Sequence, residues 1–311
     1  MGRTVDRVTV SRRDILVAAP CLAAGILAGG LTARAQEPER NVFRVAHLTD
    51  AHIHPAVGPQ KGLARALEQA QQLGASLVVN GGDAVYDALR ADRSSVATQW
   101  KAFHEVLRSE LSTEICHVVG NHDVLGWGTP SRDPKSKLYT LEQLGLSRGF
   151  YSLERGGWTL LVLDSIAWDA GREYGYQARL DEEQWEWLER ELASSQKPCC
   201  VISHIPILSA CAYFDGPNEE GGDWRVPGQW MHLDARRLKT LFHNHPRVKV
   251  CLSGHIHLVD RLEYLGVTYL CNGAVCGNYW QGALQEFEPA FALLDLYSDG
   301  RFEHRMVHYS S

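Results

Sequence analysis

Five short blocks of aspartate, asparagine and histidine side chains could bind metal ions and move protons. They are Asp50-Ala51-His52, Gly82-Asp83, Gly120-Asn121-His122-Asp123, His204 and Gly254-His255-Ile256-His257. Carboxylate and imidazole ligands together suit zinc, iron, manganese and similar ions. Each block alone is equally typical of a polar turn or of an ordinary core or surface histidine. Five such blocks in one chain indicate a metal centre.

The order of strands and helices predicts how the chain brings these blocks together. Each block follows an apolar stretch with strand character, at residues 42–48, 75–79, 114–119, 199–203 and 248–252. Helical patterns cover residues 62–73, 94–111 and 234–242, and a further helix begins with Asp181 as its N-cap. Strands that alternate with helices pair in parallel, and ligands bind beyond their carboxyl ends. We therefore expect the five blocks to lie at one edge of a sheet structure.

The rest of the sequence predicts antiparallel strands and two irregular segments. Residues 150–154 and 158–163 flank a Gly-rich turn and predict a hairpin, and residues 267–271, 290–297 and 301–309 predict further strands. The irregular segments are residues 124–150 and 208–232. No linker divides the chain into two cores, so residues 36–311 are expected to form one domain.

The N-terminal residues have the features of an export signal. Arg12 and Arg13 precede an apolar stretch at residues 17–31, and a small-x-small sequence ends at Ala35. This pattern resembles a twin-arginine signal peptide covering residues 1–35. The alternative is a membrane anchor, but the stretch is short and rich in Gly, which favours cleavage. The expected mature protein is periplasmic or extracellular, meets the twin-arginine export machinery transiently, and keeps no stable membrane anchor.

The charge of the chain bears on its partners. Residues 1–35 hold three net positive charges of a chain whose formal charge is −6, so the mature protein would carry −9. The sequence contains no run of Lys or Arg. An acidic body of this kind argues against an extended nucleic acid or an anionic membrane surface as partner. A bound phosphate would need local positive charge, such as a metal ion.

The cysteines give a weaker signal. Of the eight in the chain, seven follow residue 35, and none forms a C-x-x-C pair. Cys116, Cys199, Cys200 and Cys251 fall in apolar strand-like runs and are predicted to be buried thiols. A disulfide that joins Cys271 to Cys276 or to Cys211 remains open, because export would expose the protein to oxidising conditions.

In order and type, the five blocks resemble the calcineurin-like metallophosphoesterase family. The family pattern is D-x-H, G-D, G-N-H-[D/E], H and G-H-x-H, and it runs here from residue 42 to residue 257. The resemblance implies an α/β fold, a four-layer α/β/β/α sandwich of two mixed sheets flanked by helices. It also implies two divalent or trivalent metal ions, of iron, manganese or zinc, at the strand ends.

The resemblance also implies a role for each residue of the blocks. Asp50, His52 and His257 would hold one ion, Asn121, His204 and His255 the other, and Asp83 would bridge both. A hydroxide between the ions would attack phosphorus in line. His122 would assist the leaving group, and Asp123 would orient His122. A turn cap is the alternative role for Asp123.

The expected function is the hydrolysis of a small phosphoester by an exported enzyme. A phosphodiester is favoured, because D-x-H with G-N-H-D resembles the class III cyclic-nucleotide phosphodiesterases. One alternative is a phosphomonoesterase of the purple acid phosphatase type. Gly82-Asp83-Ala84-Val85-Tyr86 matches that family's G-D-x-x-Y, although His52 replaces its usual Gly and leaves Tyr86 as a packing or rim residue. The other alternative is a non-catalytic, metal-binding periplasmic protein.

Three segments are predicted to form a substrate-binding rim. The two irregular segments and residues 272–280 are expected to form it. Its aromatic side chains could stack on a base or sugar, or could be ordinary packing residues. They are Trp127, Trp224, Tyr279 and Trp280.

Overall fold

The computed structural model of the protein describes residues 42–309. The predicted signal peptide, residues 1–35, lies outside them. The described residues form five α-helices: α1 (Val57–Gln72), α2 (Arg93–Glu110), α3 (Lys137–Leu144), α4 (Glu182–Ser194) and α5 (Ala235–Asn244). Their strands are β1 (Val42–Leu48), β2 (Leu77–Asn80), β3 (Glu114–His117), β4 (Tyr151–Arg155), β5 (Trp158–Leu163), β6 (Ile166–Trp168), β7 (Tyr176–Ala178), β8 (Cys199–Ser203), β9 (Glu219–Glu220), β10 (Asp223–Trp224), β11 (Val248–Ser253), β12 (Val259–Tyr264), β13 (Val267–Asn272), β14 (Ala290–Tyr297) and β15 (Phe302–His308).

Two mixed sheets form the centre of the fold. The first has the order β15-β14-β1-β2-β3, and the second has the order β12-β13-β11-β8-β5-β4. Strands β1, β2 and β3 pair in parallel in the first sheet. Strands β5, β8, β11 and β13 do so in the second. The parallel strands of each sheet therefore deliver their carboxyl ends to one edge.

Alternation of side chains along the strands explains how the layers pack. Phe43 and Val45 of β1 enter a core shared by the two sheets, whereas Ala46 and Leu48 face α1 and α2. In β8, Cys200 joins the shared core. The next residue of that strand, Val201, packs instead against α4 and α5. The layers are thus helix, sheet, sheet and helix, and the predicted four-layer sandwich is confirmed.

The predicted helices are present, with local differences at their ends. Helix α2 starts at its N-cap Asp92, which accepts hydrogen bonds from two backbone N–H groups, and α4 starts at its N-cap Asp181 as predicted. Helix α1 begins at Val57, five residues before the predicted start. None of the helices in residues 42–309 is long and apolar enough to cross a membrane.

Helix α3 and strands β6, β7, β9, β10 and β12 are absent from the sequence prediction, and the short strands β9 and β10 lie inside the second segment expected to be irregular. Helix α3 lies inside the segment expected to be irregular, after a 3₁₀ turn at Pro134–Ser136 that its Pro and Ser content disguised. Strands β6 and β7 form a separate antiparallel pair between β5 and α4 in the chain. Strand β12 is a charged, half-exposed edge strand, so it lacks the apolar alternation on which strand prediction rests.

The seven cysteines of the described residues are all free and buried. Cys116, Cys199, Cys200 and Cys251 lie in the cores around the two sheets, so their prediction as buried thiols is confirmed. Neither disulfide that the sequence left open, Cys271 with Cys276 or with Cys211, is formed within residues 42–309.

Candidate metal centre and cleft

All five sequence blocks meet at one edge of the sandwich. Asp50 and His52 follow β1, Asp83 follows β2, and the block from Asn121 follows β3, all in the first sheet. The second sheet contributes the side chains that follow β8 and β11, which are His204, His255 and His257. The centre therefore lies where the carboxyl ends of both sheets converge.

The first group of side chains surrounds an oxygen of Asp50. The Nε2 atom of His257 lies 3.4 Å from Oδ1 of Asp50. The same Nε2 lies 3.2 Å from Nε2 of His52. The Oδ2 atom of Asp83 lies 3.7 Å from Nε2 of His52. Three potential ligands and the expected bridging carboxylate are thus within reach of one ion.

The second group surrounds Nε2 of His204. This nitrogen lies 3.1 Å from Oδ1 of Asn121 and 3.2 Å from Oδ2 of Asp83. The Nδ1 atom of His255 lies 3.3 Å away. The Oδ2 atom of Asp83 faces both groups, which is the position that a bridging ligand needs.

Hydrogen bonds behind the histidines fix which nitrogen faces the centre. The Nδ1 atoms of His52, His204 and His257 lie 3.1, 2.9 and 2.7 Å from the carbonyl oxygens of Tyr86, Gly81 and Gly277. A carbonyl can only accept, so each neutral ring carries its proton on Nδ1 and directs the lone pair of Nε2 inward. Backbone carbonyls commonly orient metal-binding histidines in this way.

One carboxylate oxygen that faces the centre lacks a hydrogen-bond donor. Oδ2 of Asp50 accepts from Oγ1 of Thr49 at 2.6 Å and from the backbone N–H of His255 at 2.9 Å. Its Oδ1 is buried and has no hydrogen-bond partner among the described residues. A buried, unsatisfied carboxylate oxygen is costly. The cluster of acceptors therefore fits cations, and its mixed nitrogen and oxygen donors suit zinc, iron or manganese.

The charges in the centre lead to the same conclusion. Burial opposes ionisation of Asp83, but His204 and His122 hold the pKa of its carboxyl well below the ordinary value. Burial acts to lower the pKa of His204, yet Asp83 and Asp50 raise it to about 9. Two buried carboxylates thus make this cluster a strong attractor of positive charge.

The backbone around the centre is strained. Five of the seven predicted metal ligands have φ angles in the left-handed region, which residues other than glycine rarely adopt. They are Asp50, His52, Asp83, His255 and His257, with φ between 43° and 71°. Backbone hydrogen bonds hold the conformation, among them Asp50 N–H to the Gly82 carbonyl at 3.0 Å. Such clusters of outliers are typical of functional sites.

Two positions within the blocks must be glycine, because a metal-facing carboxylate lies too close to the backbone there for a Cβ atom. A Cβ at Gly120 would overlap the carboxylate of Asp83, and one at Gly254 would overlap the carboxylate of Asp50. Any other residue would therefore displace a metal-facing carboxylate. The glycines of G-N-H-D and G-H-x-H thus have a steric reason in this chain.

His122 lies beside the two groups rather than within them. Its backbone N–H donates to Oδ1 of Asp83 at 2.8 Å. Its ring lies 5.0 Å from the ring of His52, measured between centroids. Burial opposes protonation, but Asp83 and Asp87 raise the pKa of His122. The imidazole is therefore placed to hold a proton at the mouth of the centre.

The expected contact between Asp123 and His122 is wrong. Both oxygens of Asp123 accept backbone N–H groups, from Asp83 and Gly120 at 3.0 Å and from Ala84 at 2.9 Å. Asp123 is thus the turn cap that stood as its alternative role, and it fixes the loop that carries Asp83. The sequence could not separate the two roles, because Asn, His and Asp in succession suit a turn and an active site alike.

The carboxylate beside His122 belongs to Asp87. Its Oδ1 lies 3.5 Å from Nδ1 of His122. The backbone N–H of Asp87 donates to Oε1 of Gln99 at 3.0 Å, and its Oδ2 accepts from Nε of Arg90 at 3.2 Å. Asp87 follows Asp83 by four residues and lies outside the Gly82-Asp83 block, so the sequence analysis did not identify it.

A cleft of about 260 Å³ opens onto the centre. This volume is near the small end of pockets that bind one compact ligand. Its lining combines metal-centre residues with side chains from distant loops, namely Asp83, Leu89, Arg90, Asn121, His122, Tyr174, Tyr176, Asp215, Gln229, Trp230, His255 and Tyr279. Two of the three segments predicted to form the rim contribute to this lining, residues 208–232 and residues 272–280, whereas residues 124–150 contribute no lining residue and that part of the prediction is wrong. Individual side chains outside the metal-binding blocks, such as Arg90, Tyr174 and Gln229, were not predicted, because loops without periodicity give no signal of which side chains meet.

The predicted substrate-binding aromatics take different places. Tyr279 lines the cleft, with its ring centroid 4.6 Å from that of His52. Trp280 lies behind the centre, where its indole N–H is 3.0 Å from the Ala51 carbonyl. The prediction of Trp127 is wrong, because its side chain is 1% exposed in the core beneath α1 and α2. Trp224 is 52% exposed but does not line the cleft.

Tyr86 has the rim position that the sequence favoured. Its side chain is 40% exposed, and its ring centroid lies 6.5 Å from that of His52 in an edge-on arrangement. Its backbone carbonyl lies behind His52, 3.1 Å from Nδ1 of that ring. The side chain thus has the contacts of a rim aromatic.

Comparison with known proteins gives a family and a fold. The family described as calcineurin-like phosphoesterase matches residues 43–259. The 3′,5′-cyclic adenosine monophosphate phosphodiesterase CpdA of Escherichia coli is 27% identical over 273 residues, which cover 83% of this chain and 86% of that protein. The 3′,5′-cyclic-nucleotide phosphodiesterase alr5338 of Nostoc is 27% identical over 183 residues, covering 56% and 61%.

A solved structure extends the likeness to the whole fold. The dimetal phosphatase of Danio rerio superimposes with a TM-score of 0.61 and 18% identity, covering 86% of this chain and 99% of that one. At this identity the likeness concerns the arrangement of the sheets and helices alone. It agrees with the four layers described above.

Proposed function

Because this chain belongs to the calcineurin-like phosphoesterase family, we propose that it is an exported phosphodiesterase for a small substrate, with 3′,5′-cyclic nucleotides as the substrate class. The family and the cyclic-nucleotide phosphodiesterase relatives make the protein a metal-dependent phosphoester hydrolase. The finer proposal rests on the cleft and on what those relatives are named to hydrolyse. The single observation that carries it is the convergence of carboxylate and imidazole side chains from both sheets at the floor of a small cleft.

Two metal ions fit the acceptors at this floor. Asp50, His52 and His257 would hold one ion, and Asn121, His204 and His255 would hold the other. Asp83 would be a ligand of both ions. When bound, two such ions supply Lewis acidity to the phosphoryl oxygens and an activated water as nucleophile. The fixed tautomers of the histidines keep the required lone pairs directed inward.

His122 is proposed as the proton donor to the leaving oxygen. It lies at the mouth of the centre and is outside the two ligand groups. Asp83 and Asp87 favour its protonated form. Asp87 would act as a positioning residue, since its carboxylate faces Nδ1 and leaves the opposite nitrogen free for substrate.

The charge of the cleft favours a diester over a monoester. Among the described residues that line it, and apart from the proposed ligands and His122, the charged side chains are Arg90 and Asp215. Arg90 already contacts the carboxylate of Asp87. A phosphodiester carries one negative charge, whereas a monoester carries close to two at neutral pH. A cleft without a spare cationic cluster matches the smaller charge.

Export stays a proposal that rests on the N-terminal sequence. Arg12 and Arg13 before an apolar stretch and a small-x-small sequence ending at Ala35 support it. Replacing both arginines with lysine should leave the full-length protein in the cytoplasm. Export of that variant at the wild-type level would contradict the twin-arginine route.

A paired substrate test decides the reaction. Bis(4-nitrophenyl) phosphate and 4-nitrophenyl phosphate share a leaving group and differ in diester against monoester. With manganese, zinc or iron added, we expect a higher kcat/KM for the diester. Equal or faster hydrolysis of the monoester would contradict the diesterase proposal, and the chelated protein provides the blank.

A further inference from the structure

One wall of the cleft carries polar and aromatic groups that the hydrolysis of a phosphoester does not use. Asp215, Gln229 and Trp230 line the same cavity as His122 and His255. They come from the second irregular segment of the sequence, which follows the His204 block. Since they belong to neither ligand group, they are available to contact the part of the substrate outside the phosphate.

Gln229 offers an unused hydrogen-bonding group at this wall. Its Nε2 is buried and has no partner among the described residues. A buried amide nitrogen without a partner carries an energetic penalty that a hydrogen-bonding ligand would remove. Its side chain presents a donor and an acceptor side by side, an arrangement suited to the edge of a heterocyclic base.

Asp215 and Trp230 complete the set of groups that recognise such a base. Asp215 presents a half-buried carboxylate, which accepts hydrogen bonds from an amino group. The ring of Trp230 lies next to the turn that carries Asp215, within 3.4 Å of a Cβ placed on Gly216. An indole face at a cleft is a stacking surface for a base.

This wall is held in place by hydrogen bonds of its own. The side chain of Asn218 donates to the carbonyl of Ala212 at 3.0 Å and spans the turn that holds Asp215. The backbone of Ala178 donates to the Gly228 carbonyl at 2.7 Å and accepts from Leu233 N–H at 2.9 Å, on either side of Gln229 and Trp230. A wall that is fixed before binding can discriminate between ligands.

The geometry points to a base-recognition subsite in which Trp230 stacks on a nucleobase while Gln229 and Asp215 bind its edge. The chemical class is a base with an exocyclic amino group, because a carboxylate requires a donor opposite it. Adenine, guanine and cytosine carry such an amino group, whereas uracil offers only a ring N3–H between two carbonyl oxygens that a carboxylate repels. The inference rests on the proposed function, because a nucleotide substrate places such a base beside the phosphate.

Binding of products tests the subsite without any need for turnover. The probes are 5′-AMP, 5′-UMP and ribose 5-phosphate, titrated calorimetrically into the metal-loaded protein. Ribose 5-phosphate keeps the sugar and phosphate but lacks the base. We expect 5′-AMP to bind about tenfold or more tightly than ribose 5-phosphate, and more tightly than 5′-UMP.

Matched variants identify the residues. Gln229→Leu keeps the side-chain size and removes both hydrogen-bonding groups, and Asp215→Asn removes the charge. Each should bring the affinity for 5′-AMP toward that of ribose 5-phosphate, while Gln72→Leu, on the exposed face of α1, should change neither. Trp230→Phe should retain part of the preference, because a phenyl ring still stacks.

The same variants separate this inference from the proposed reaction. With 3′,5′-cyclic AMP as substrate, Gln229→Leu should lower kcat/KM about tenfold more than it does for bis(4-nitrophenyl) phosphate, whose aryl groups offer no amino group to this side chain. Equal binding of 5′-AMP and ribose 5-phosphate by the wild type would overturn the subsite even if diesters are hydrolysed. A preference for 5′-AMP that depends on Gln229, without diester hydrolysis, would support the subsite and overturn the proposed reaction.

Discussion

The floor and the outer wall of the cleft are built in different ways. The floor consists of side chains that follow parallel strands of both sheets, and five of its residues have left-handed backbone conformations. The outer wall consists of loop residues, among them Asp215, Gln229 and Trp230, that hydrogen bonds between loops hold in place. The contrast indicates that the fold fixes the chemistry, while the loops set which ligand reaches it.

Removal of the carboxylate shared by both ligand groups should give the largest difference between a variant of the floor and a variant of the wall. We expect Asp83→Ala to lose at least one metal ion per chain and to reduce diester hydrolysis to background, because its Oδ2 faces both ligand groups. Metal content by mass spectrometry and kcat/KM measure the two effects. Asp215→Asn is the matched control on the wall and should retain its metal. Equal metal loss in both variants would remove the distinction.

Replacement of His122 should affect the reaction and spare the metals. We expect His122→Gln to lower kcat about 10²–10⁴-fold, the range typical of a lost general acid, with unchanged metal content. The loss should be smaller with a 4-nitrophenolate leaving group than with an alkoxide, since 4-nitrophenolate departs readily without a proton. Losses of the same size for both leaving groups would contradict the proton-donor role.

Asp87 should act only through His122. We expect Asp87→Asn to lower kcat about tenfold, because the imidazole loses the carboxylate that lies 3.5 Å from its Nδ1. In the His122→Gln background the same change should cost little more. A double-variant cycle measures this coupling, and fully additive losses would show that Asp87 acts independently of His122.

The two tryptophans displaced from their predicted roles should give the smallest effects. Trp127→Phe removes an indole N–H that donates to the Asp133 carbonyl, so we expect about 1–3 kcal/mol less stability and an unchanged kcat/KM. Trp280→Phe removes the indole N–H that donates to the Ala51 carbonyl beside His52, so we expect weaker metal binding. Denaturant unfolding measures the stability of Trp127→Phe, and metal titration measures the affinity of Trp280→Phe. A changed KM in Trp127→Phe would indicate that Trp127 contacts substrate after all.

The sequence was informative wherever strand ends determine position. The seven predicted metal ligands lie together because parallel strands deliver their carboxyl ends to one edge. Asp123 was misjudged because backbone N–H groups of Gly120 and of the distant loop at Asp83, rather than His122, donate to its oxygens. Trp127, Gln229 and Trp230 show the limit most clearly. All three lie in irregular segments, and only tertiary packing decides that the first is buried while the others line the cleft.

The central claim is that seven side chains from both sheets hold two metal ions. Anomalous diffraction from crystals of the manganese-loaded protein tests it most directly. We predict two peaks, one among Asp50, His52 and His257 and the other among Asn121, His204 and His255, with Asp83 between them. A single peak, or peaks away from these residues, would contradict the account.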